Sequence, residues 1–284
     1  SAIMPFRRHD QPQLTLETPV APRKQSARSR RLDIAVTQVQ QRGGIHSLRR
    51  LSPEAAPPPA LPTGFASLDA AIGIGGLPRG QISELLGPAT SGKTSLALIA
   101  LAQAQRCGGI VAYFDLEQSL DPDYARRCGI DLHRLLIVHP PDPADALSIA
   151  TGLARRQGLQ LIVFHAGPAF WVQRRAASDL RLLSLALAGT PCAALFMTTT
   201  QKSSGAELFD DRIHRSPLAG LASLRLGVIH ERWKRQPWDD VTGYTAVIMV
   251  GKNRLAAPGR RAVVTITFNG AVHGRSEGVG GGQS

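Results

Sequence analysis

The sequence predicts an α/β protein with a mostly parallel central sheet. Short apolar runs, typical of buried strands, alternate with helical patterns from Gln81 to Met197. Such alternation implies right-handed crossovers and a sheet that is covered on both faces. Beyond Ser223 the strands follow one another without helices, which predicts an antiparallel extension of the same sheet. With 284 residues and 43% hydrophobic content, the chain can supply the core that such a fold needs.

Three segments precede this core. Residues 1–30 mix Arg, Pro, Gln and Ser without apolar periodicity, which predicts a disordered basic arm. Residues 31–52 carry apolar positions at helical spacing, and we expect a small N-terminal helical element there. Residues 53–62 are rich in proline, which removes amide donors and favours extended backbone, so a linker is predicted. The core is expected over residues 63–274, followed by a flexible glycine-rich tail at 275–284.

The elements of the core follow from its apolar runs and helical patterns. The first strands are predicted at Gln81–Leu86, Ile110–Asp115, Leu135–Val138, Leu161–Phe164 and Ala193–Met197. Helices are predicted at Lys93–Gln105, Asp121–Cys128, Ala144–Arg156 and Ala176–Ala188. The later strands are predicted at Leu224–Glu231, Thr242–Val250 and Ala262–Phe268.

The cysteine and apolar patterns exclude several classes of protein. Cys107, Cys128 and Cys192 are widely spaced and form no CxxC pair, so neither a disulfide framework nor a zinc cluster is predicted. The sequence contains no run of about 18 uncharged apolar residues, and its first residues lack the apolar stretch of a signal peptide. We therefore expect reduced thiols in a cytoplasmic protein without membrane contact.

The charge of the chain is strongly positive. The formal charge is +12, and residues 1–50 hold ten Lys or Arg residues against three Asp or Glu residues. A field of this kind attracts polyanions, nucleic acid first, although it provides attraction without sequence specificity. The alternative interpretation is a basic tail that serves solubility.

The segment after the first strand matches a phosphate-binding pattern. It comprises Gly87, Pro88, Ala89, Thr90, Ser91, Gly92, Lys93 and Thr94. The glycines let the backbone wrap phosphates closely, while loop amides and the N-terminus of the next helix face the negative charge. Lys93 is expected to neutralise the β- and γ-phosphates, and the Thr94 hydroxyl is expected to bind magnesium. The loop follows an apolar strand and opens an apolar helix, so we predict binding of ATP with Mg²⁺.

A carboxylate follows the second predicted strand. Glu117 lies just beyond Asp115, at the carboxyl end of a strand that neighbours the phosphate loop. A group in that place can polarise an attacking water, and Glu117 is our candidate catalytic residue. On spacing alone, a solvated loop glutamate is an equal alternative.

Several motifs resemble those of the bacterial recombinase family RecA. They are Thr63–Asp69, Gly75–Gly80, the P-loop, Asp115–Glu117, Leu120–Arg126 and Lys252–Pro258. All occur in the order of the family, with similar spacing up to Arg126, and the resemblance covers nearly the whole of Leu32 to Val272. It implies a RecA-like P-loop core.

The resemblance also implies roles for individual residues. Glu117 would activate water, whereas Asp121 and Tyr124 would line the adenine pocket. Lys252 and Arg254 would reach the ATP of an adjacent protomer in a filament. The resemblance therefore implies a nucleotide site between protomers, self-association and single-stranded DNA as a partner.

Three positions depart from the family pattern. His165 follows the strand that in the family ends with an aspartate supporting magnesium through water, and imidazole is a poor magnesium ligand beside carboxylate. Thr199 stands near the glutamine that senses the γ-phosphate. Gly220 stands where an aromatic residue transmits the nucleotide state between protomers. These departures predict ATP binding with weakened hydrolysis; alternatively, His165 is a plain strand-end residue in a site that has lost turnover.

Two segments correspond to the DNA-binding loops of the family. The first, between Pro168 and Leu180, is shorter than in RecA. The second, residues 201–222, has near-family length but lacks the Thr- and Gly-rich run. Its cations can contact the phosphates of single-stranded DNA, although two adjacent aspartates oppose this. The candidate contact residues are Lys202, Arg212 and Arg215.

Three functions are compatible with these observations. The first is a RecA-type recombinase of DNA repair, homologous recombination or the SOS damage response, possessing DNA-dependent ATPase activity. The second is an accessory protein similar to the ImuA proteins of mutagenic translesion synthesis, with weak or no ATP hydrolysis and a translesion polymerase complex as partner. The third is a P-loop ATPase without a DNA role. The three departures, with a sequence that stops soon after the last predicted strand, favour the accessory role slightly.

Overall fold

The computed structural model describes residues 34–35, 37–38, 58–167, 170, 176–200, 208–209, 217–235, 241–268 and 272–277. The chain divides into two compact units, residues 1–52 and 53–284. In the first unit, residues 34–35 and 37–38 are helical and exposed. The predicted basic arm lies outside the described residues, as do the rest of the helical element, residues 53–57 and the end of the tail.

A sheet of nine strands forms the centre of the second unit. The strands of this unit are β1 (Ala60–Leu61), β2 (Leu77–Pro78), β3 (Ile82–Gly87), β4 (Ile110–Asp115), β5 (Leu135–Val138), β6 (Leu159–His165), β7 (Ala193–Thr199), β8 (Leu224–Arg235), β9 (Val241–Asn253), β10 (Arg261–Phe268) and β11 (Val272–Glu277). β1 and β2 form a separate pair, and the order in the large sheet is β11-β10-β9-β8-β3-β7-β6-β4-β5. The strands from β8 to β5 are parallel, whereas β9, β10 and β11 extend the sheet in antiparallel pairs. The predicted fold class is confirmed.

Helices cover both faces of the parallel strands. They are α1 (Ala66–Ile72), α2 (Lys93–Arg106), α3 (Pro122–Arg127), α4 (Ala146–Arg155), α5 (Ala176–Leu187) and α6 (Leu218–Leu221). Val111 and Tyr113 of β4 pack with α1 and α2 in one core cluster, whereas Ala112 and Phe114 pack with α4 and α5 in the other. This alternation explains why nearly every residue of the central strands is apolar. In the parts of the chain described above, no helix is long and apolar enough to cross a membrane.

A buried ion pair connects three central strands just before the P-loop. Glu84 of β3 and Arg225 of β8 are 0% and 3% exposed, and 2.6 Å separates Glu84 Oε2 from Arg225 Nε. The Thr198 hydroxyl on β7 donates to Glu84 Oε1 at 2.8 Å. Buried charges are tolerated when they are paired and hydrogen-bonded, so these contacts hold β3 between its two neighbours.

The structure differs from the predicted organisation at both ends of the core. β1 lies within the proline-rich segment predicted as a linker and pairs with β2. Gly76 approaches β1 so closely that a Cβ there would lie 2.1 Å from the Leu61 carbonyl oxygen. Strands of two residues carry no readable periodicity, so the sequence pattern does not reveal this pair. At the other end, β11 pairs with β10 as far as Glu277, which lies within the segment predicted as a flexible tail.

The cysteines are free thiols, as expected from their spacing. Cys128 and Cys192 are buried, and burial raises the pKa of Cys128 to about 11 and that of Cys192 to about 12. The thiolate is the reactive form, so both side chains are unreactive near neutral pH. Cys107, at the C-terminal end of α2, is exposed.

Candidate nucleotide-binding site

The P-loop leaves the end of β3 and leads directly into α2. Gly87 is the last residue of β3, and Gly92 is the N-cap of α2. Between them, Ala89 and Thr90 are exposed. The first amides of a helix have no partners within the helix, so the N-terminus of α2 opens onto the loop with the polarity that suits a phosphate.

Two glycines of the P-loop occupy places where no side chain fits. A Cβ at Gly87 would lie 2.6 Å from Ser91 Oγ, and a Cβ at Gly92 would lie 2.1 Å from the Tyr244 hydroxyl oxygen. Gly92 also has a φ of 82°, in the left-handed region that favours glycine. The loop can adopt this compact shape because both positions lack a side chain.

The Lys93 side chain folds back onto the P-loop, whose bound phosphates it is predicted to neutralise. The residue is 7% exposed. Its Nζ donates to the carbonyl oxygens of Gly87, at 2.9 Å, and Pro88, and lies 3.3 Å from Ser91 Oγ. A phosphate would offer the ammonium a stronger, charge-assisted partner than these neutral groups. Thr94, predicted to bind magnesium, follows directly and is partly exposed at the start of α2.

Tyr244 contacts the P-loop, although nothing in the sequence pattern indicated it. It lies on β9, is buried, and donates its hydroxyl to the Gly92 carbonyl oxygen at 3.1 Å. Its ring centroid lies 5.6 Å from that of Trp233 on β8 and 6.0 Å from that of Phe268 on β10. This aromatic row holds Tyr244 in place. The antiparallel part of the sheet therefore supports the first turn of α2.

Tyr124 and Asp121 have different structural roles. The Tyr124 hydroxyl on α3 lies 2.6 Å from Ser95 Oγ in the first turn of α2, and the Arg127 guanidinium lies 5.4 Å from the Tyr124 ring centroid. Burial raises the pKa of Tyr124, so its phenol is neutral. Asp121 is the N-cap of α3, where its carboxylate accepts from the amides of Asp123 and Tyr124 at 2.9 and 3.2 Å. The structure therefore brings Tyr124 to the P-loop helix, whereas capping by itself accounts for Asp121.

His165 lies at the end of β6, in register with Asp115 at the end of β4. Its Nε2 is 3.4 Å from Glu117 Oε2. Its Nδ1 is 3.1 Å from both the Tyr113 hydroxyl oxygen and Ser119 Oγ. Glu117 is 44% exposed and therefore combines access to solvent with a contact to the histidine that replaces the expected aspartate.

Asp115 is a buried carboxylate at the end of β4, and both of its oxygens already accept hydrogen bonds from backbone amides of the same chain. Its Oδ1 accepts from the Ser119 amide at 3.1 Å, its Oδ2 accepts from the Leu120 amide at 2.9 Å, and His139 Nε2 lies 3.5 Å from Oδ2. Among the described residues, no group of three or more His, Cys, Asp or Glu side chains could hold a metal ion. The Thr94 hydroxyl at the start of α2 therefore stays the predicted ligand of Mg²⁺.

β7 ends beside the P-loop. Gly87 is in register with Thr199, and the amide of Thr200 donates to the Gly87 carbonyl oxygen at 2.9 Å. Thr199, which stands where the resemblance expects a glutamine, therefore borders the phosphate loop with a shorter side chain.

Lys252 and Arg254 contact α6 of their own chain. Lys252 Nζ donates to the Ala219 carbonyl oxygen, and Arg254 Nη2 donates to the Gly220 carbonyl oxygen, both at 2.6 Å. Carbonyl groups near the C-terminal end of a helix lack partners within it and attract cations. The predicted contact of these two side chains with the ATP of an adjacent protomer stays a prediction.

Most of the two predicted DNA-binding loops lies outside the described residues. This applies to Lys202, Arg212 and Arg215, whose contacts with DNA therefore stay predictions. Within the second loop, Leu208 and Phe209 are described. Leu208 is buried and Phe209 is partly exposed. Both lie against Gly227 of β8, and Phe209 also lies against Gly251 of β9.

Comparison with known proteins identifies the family. Residues 30–188 match the model of the RecA N-terminal domain. The chain is 36% identical over 261 residues to Protein RecA of Acidothermus cellulolyticus, covering 85% of this chain and 75% of the relative. It is 37% identical over 260 residues to Protein RecA of Leifsonia xyli subsp. xyli, covering 85% and 72%. The crystal structure of the RadB recombinase has a TM-score of 0.57 at 21% identity and covers 77% of this chain and all (100%) of the other.

The strand, loop and helix around Lys93 define a P-loop protein of the α/β class, and the likeness to the RadB recombinase places the fold among recombinase folds. The sequence comparisons are more specific. The chain belongs to the RecA family.

Proposed function

We propose that the protein binds ATP at the P-loop and acts in DNA recombination or repair. The geometry around Gly92 and Lys93 carries the nucleotide proposal, because it combines a helix N-terminus, a loop backbone without side chains at its two glycines and a cation held against that loop. Membership of the RecA family supports ATP with Mg²⁺ as the ligand and supports the role in DNA. Titration with ATP in the presence of Mg²⁺ tests the proposal directly, and absence of binding would contradict it.

The residues around the P-loop suggest how ATP is held. Lys93 would exchange its carbonyl partners for phosphate oxygens, and Thr94 would contribute its hydroxyl to Mg²⁺. Tyr124, which is hydrogen-bonded to Ser95, would lie beside the adenine. Lys252 and Arg254 would contact the ATP bound to a neighbouring protomer, so self-association is part of the proposal.

Binding to single-stranded DNA is expected to weaken steeply with salt. Lys202, Arg212 and Arg215 would neutralise phosphates, and each such contact releases a counterion. With three contacts and a slope of roughly −0.7 per contact, affinity should fall about 20-fold between 50 and 200 mM salt. Equilibrium titration of a labelled oligonucleotide at several salt concentrations measures this slope.

A triple alanine variant of these three cations should have a flatter salt dependence than the unaltered protein. The matched control replaces three exposed arginines that lie outside the predicted DNA-binding loops, and it should retain the original slope of affinity against salt. These arginines are Arg106, Arg155 and Arg156. Equal slopes for the two triple variants would contradict the assignment of the DNA contacts.

Hydrolysis is expected to be weak while His165 holds Glu117. The 3.4 Å contact between His165 Nε2 and Glu117 Oε2 places the proposed base against an imidazole instead of beside a carboxylate that supports magnesium. His165→Asp should therefore raise DNA-stimulated ATPase activity, by about tenfold or more if general-base catalysis is restored. His133→Asp, at an exposed histidine in the turn before β5, is the control and should leave turnover unchanged.

An unchanged rate in His165→Asp would show that other departures limit turnover. The shorter Thr199 side chain beside Gly87 is the first candidate, because it borders the phosphate loop. A rate increase shared by His165→Asp and His133→Asp would contradict the specific role of His165.

An ATPase assay with and without single-stranded DNA, paired with electron microscopy, separates the recombinase and accessory roles. Filaments with DNA-stimulated turnover support a working recombinase. A nucleotide-bound monomer without turnover would instead support the accessory role in translesion synthesis.

A further inference from the structure

We propose that Phe209 is a positioning residue that anchors the segment 201–217 to the sheet. The segment carries Lys202, Arg212 and Arg215, so the anchor would set where these cations meet single-stranded DNA. The inference rests on the proposed DNA-binding function. It concerns a contact between Phe209 and two glycines, Gly227 and Gly251, that we call the glycine slot.

The glycine slot is formed by neighbouring strands. Gly227 lies on β8. Gly251 lies on β9 between Val250 and Lys252, which pair with Leu226 and Arg225 of β8, so it marks the point where the register of the two strands shifts. A Cβ at Gly251 would lie 2.3 Å from both Cε1 and Cζ of Phe209. A Cβ at Gly227 would lie 2.3 Å from Leu208 Cδ2 and 2.8 Å from Phe209 Cζ. The aromatic ring therefore fills space that exists because both strands lack a side chain at these positions.

Backbone conformation does not explain these two glycines. Neither Gly227 nor Gly251 is among the glycines with positive φ, so other residues could adopt the same backbone shape. Glycine inside a strand is unfavourable and often marks a place where another group approaches closely. Here the approaching groups are Leu208 and Phe209, and the contact accounts for both glycines.

Arg225 connects the glycine slot to the strand that carries the P-loop. Its guanidinium carbon lies 5.9 Å from the centroid of the Phe209 ring, within the range of a cation–π contact. The same side chain pairs with Glu84 on β3. Phe209 therefore packs on the Arg225 guanidinium, whose position is fixed by the buried Glu84 carboxylate. This pairing makes the surface under the Phe209 ring rigid.

Helix α6, which follows the segment, is attached to the same strand as Phe209. Lys252, the residue after Gly251, donates to the Ala219 carbonyl oxygen in α6. The anchor at Phe209 and this contact are thus made by consecutive residues of β9. Without the anchor, Phe209 itself would have to be ordered when DNA binds, and ordering a side chain reduces affinity.

Three variants test the anchor in the 284-residue chain, with dissociation constants measured for an oligo-dT strand. Phe209→Ala empties the slot, and Gly251→Ala fills it with a methyl group. Each should weaken binding about tenfold, a change typical of losing a preorganised contact. The double variant Phe209→Ala/Gly251→Ala should be no weaker than the weaker single variant, because both changes break the same contact. Gly152→Ala, where a methyl group meets nothing within 4 Å, is the control and should bind normally.

A compensating pair of substitutions distinguishes loss of the Phe209 contact from general damage to the fold. Phe209→Leu in the Gly251→Ala background offers a smaller apolar side chain to the narrowed slot and should restore most of the lost affinity. Trypsin should cleave Phe209→Ala after Lys202, Arg212 and Arg215 faster than it cleaves the unaltered protein. ATP affinity should be the same in every variant.

The outcomes distinguish this inference from the function on which it rests. If the unaltered protein does not bind single-stranded DNA, both the proposed function and the anchor's role in it are overturned. If it binds but Phe209→Ala and Gly251→Ala bind equally well, the inference is overturned and the function stands. Additive losses in the double variant would likewise overturn the shared contact.

Discussion

Lys93→Ala is expected to lower the affinity for ATP at least about 100-fold, the loss that follows from removing charge-assisted hydrogen bonds worth roughly 1.5–3 kcal/mol each. Nζ already lies within the loop, where it contacts the Gly87 and Pro88 carbonyl oxygens and Ser91 Oγ. It therefore needs a small rearrangement to reach a phosphate. Isothermal titration with ATP and Mg²⁺ measures the change.

The matched control is Lys234→Ala, which removes an exposed lysine on β8 and should leave ATP affinity unchanged. Thermal unfolding gives an independent measure, since a ligand present at 100 times its dissociation constant stabilises the folded state by about 2.7 kcal/mol. At this concentration ATP should stabilise the control fully, whereas Lys93→Ala, with affinity about 100-fold lower, should gain no more than about 0.4 kcal/mol and a correspondingly small rise in melting temperature. Equal affinity in Lys93→Ala and the unaltered protein would contradict the P-loop assignment.

Glu84→Ala is expected to lower the free energy of unfolding by about 3–5 kcal/mol, the usual cost of removing one partner from a buried ion pair. The change would leave the Arg225 guanidinium in the core without the carboxylate that lies 2.6 Å from its Nε. Thr198 would also lose the acceptor of its hydroxyl. Single domains are commonly stable by about 5–15 kcal/mol, so the loss is a large fraction of the total.

Urea denaturation measures this change, with Glu84→Gln as a milder variant that keeps the shape of the side chain. The control is Asp123→Ala, which breaks an exposed pair with Arg126 and should cost less than about 1 kcal/mol. A loss of similar size in Glu84→Ala and Asp123→Ala would contradict the stabilising role of the buried pair.

The parallel half of the sheet was predictable because its strands are short, mostly apolar runs. The inner strands are buried, whereas β5 at the edge of the sheet exposes Leu136 and Ile137 and was still recognised by its apolar run. β4 and β5 have the bounds that these runs predict, Ile110–Asp115 and Leu135–Val138. β8 is longer than predicted and continues to Arg235, because its outer half pairs with β9. That half includes the exposed residues 232–235, so it lacks the apolar signal of a buried strand.

The P-loop was predictable because its residues are consecutive and its chemistry is local. The contact between Tyr244 and Gly92 was not, since 152 residues separate them in the chain. The same limit applies to Phe209 and Gly251, which meet through the register of β8 and β9. His165 was recognised as a departure from the family pattern, but its contact with Glu117 required the relative positions of β4 and β6. Such pairings follow from tertiary packing, which sequence spacing does not encode.

The different environments of the three cysteines have a practical consequence for experiments. Cys128 and Cys192 are buried, and their raised pKa keeps them protonated, whereas Cys107 is exposed. A maleimide dye at neutral pH should therefore attach to Cys107 alone, without prior removal of the other thiols. α2 has 14 residues, so at about 1.5 Å per residue the dye would sit roughly 21 Å from Lys93. The natural sequence thus carries its own attachment point for a fluorophore, at a known distance from the phosphate loop.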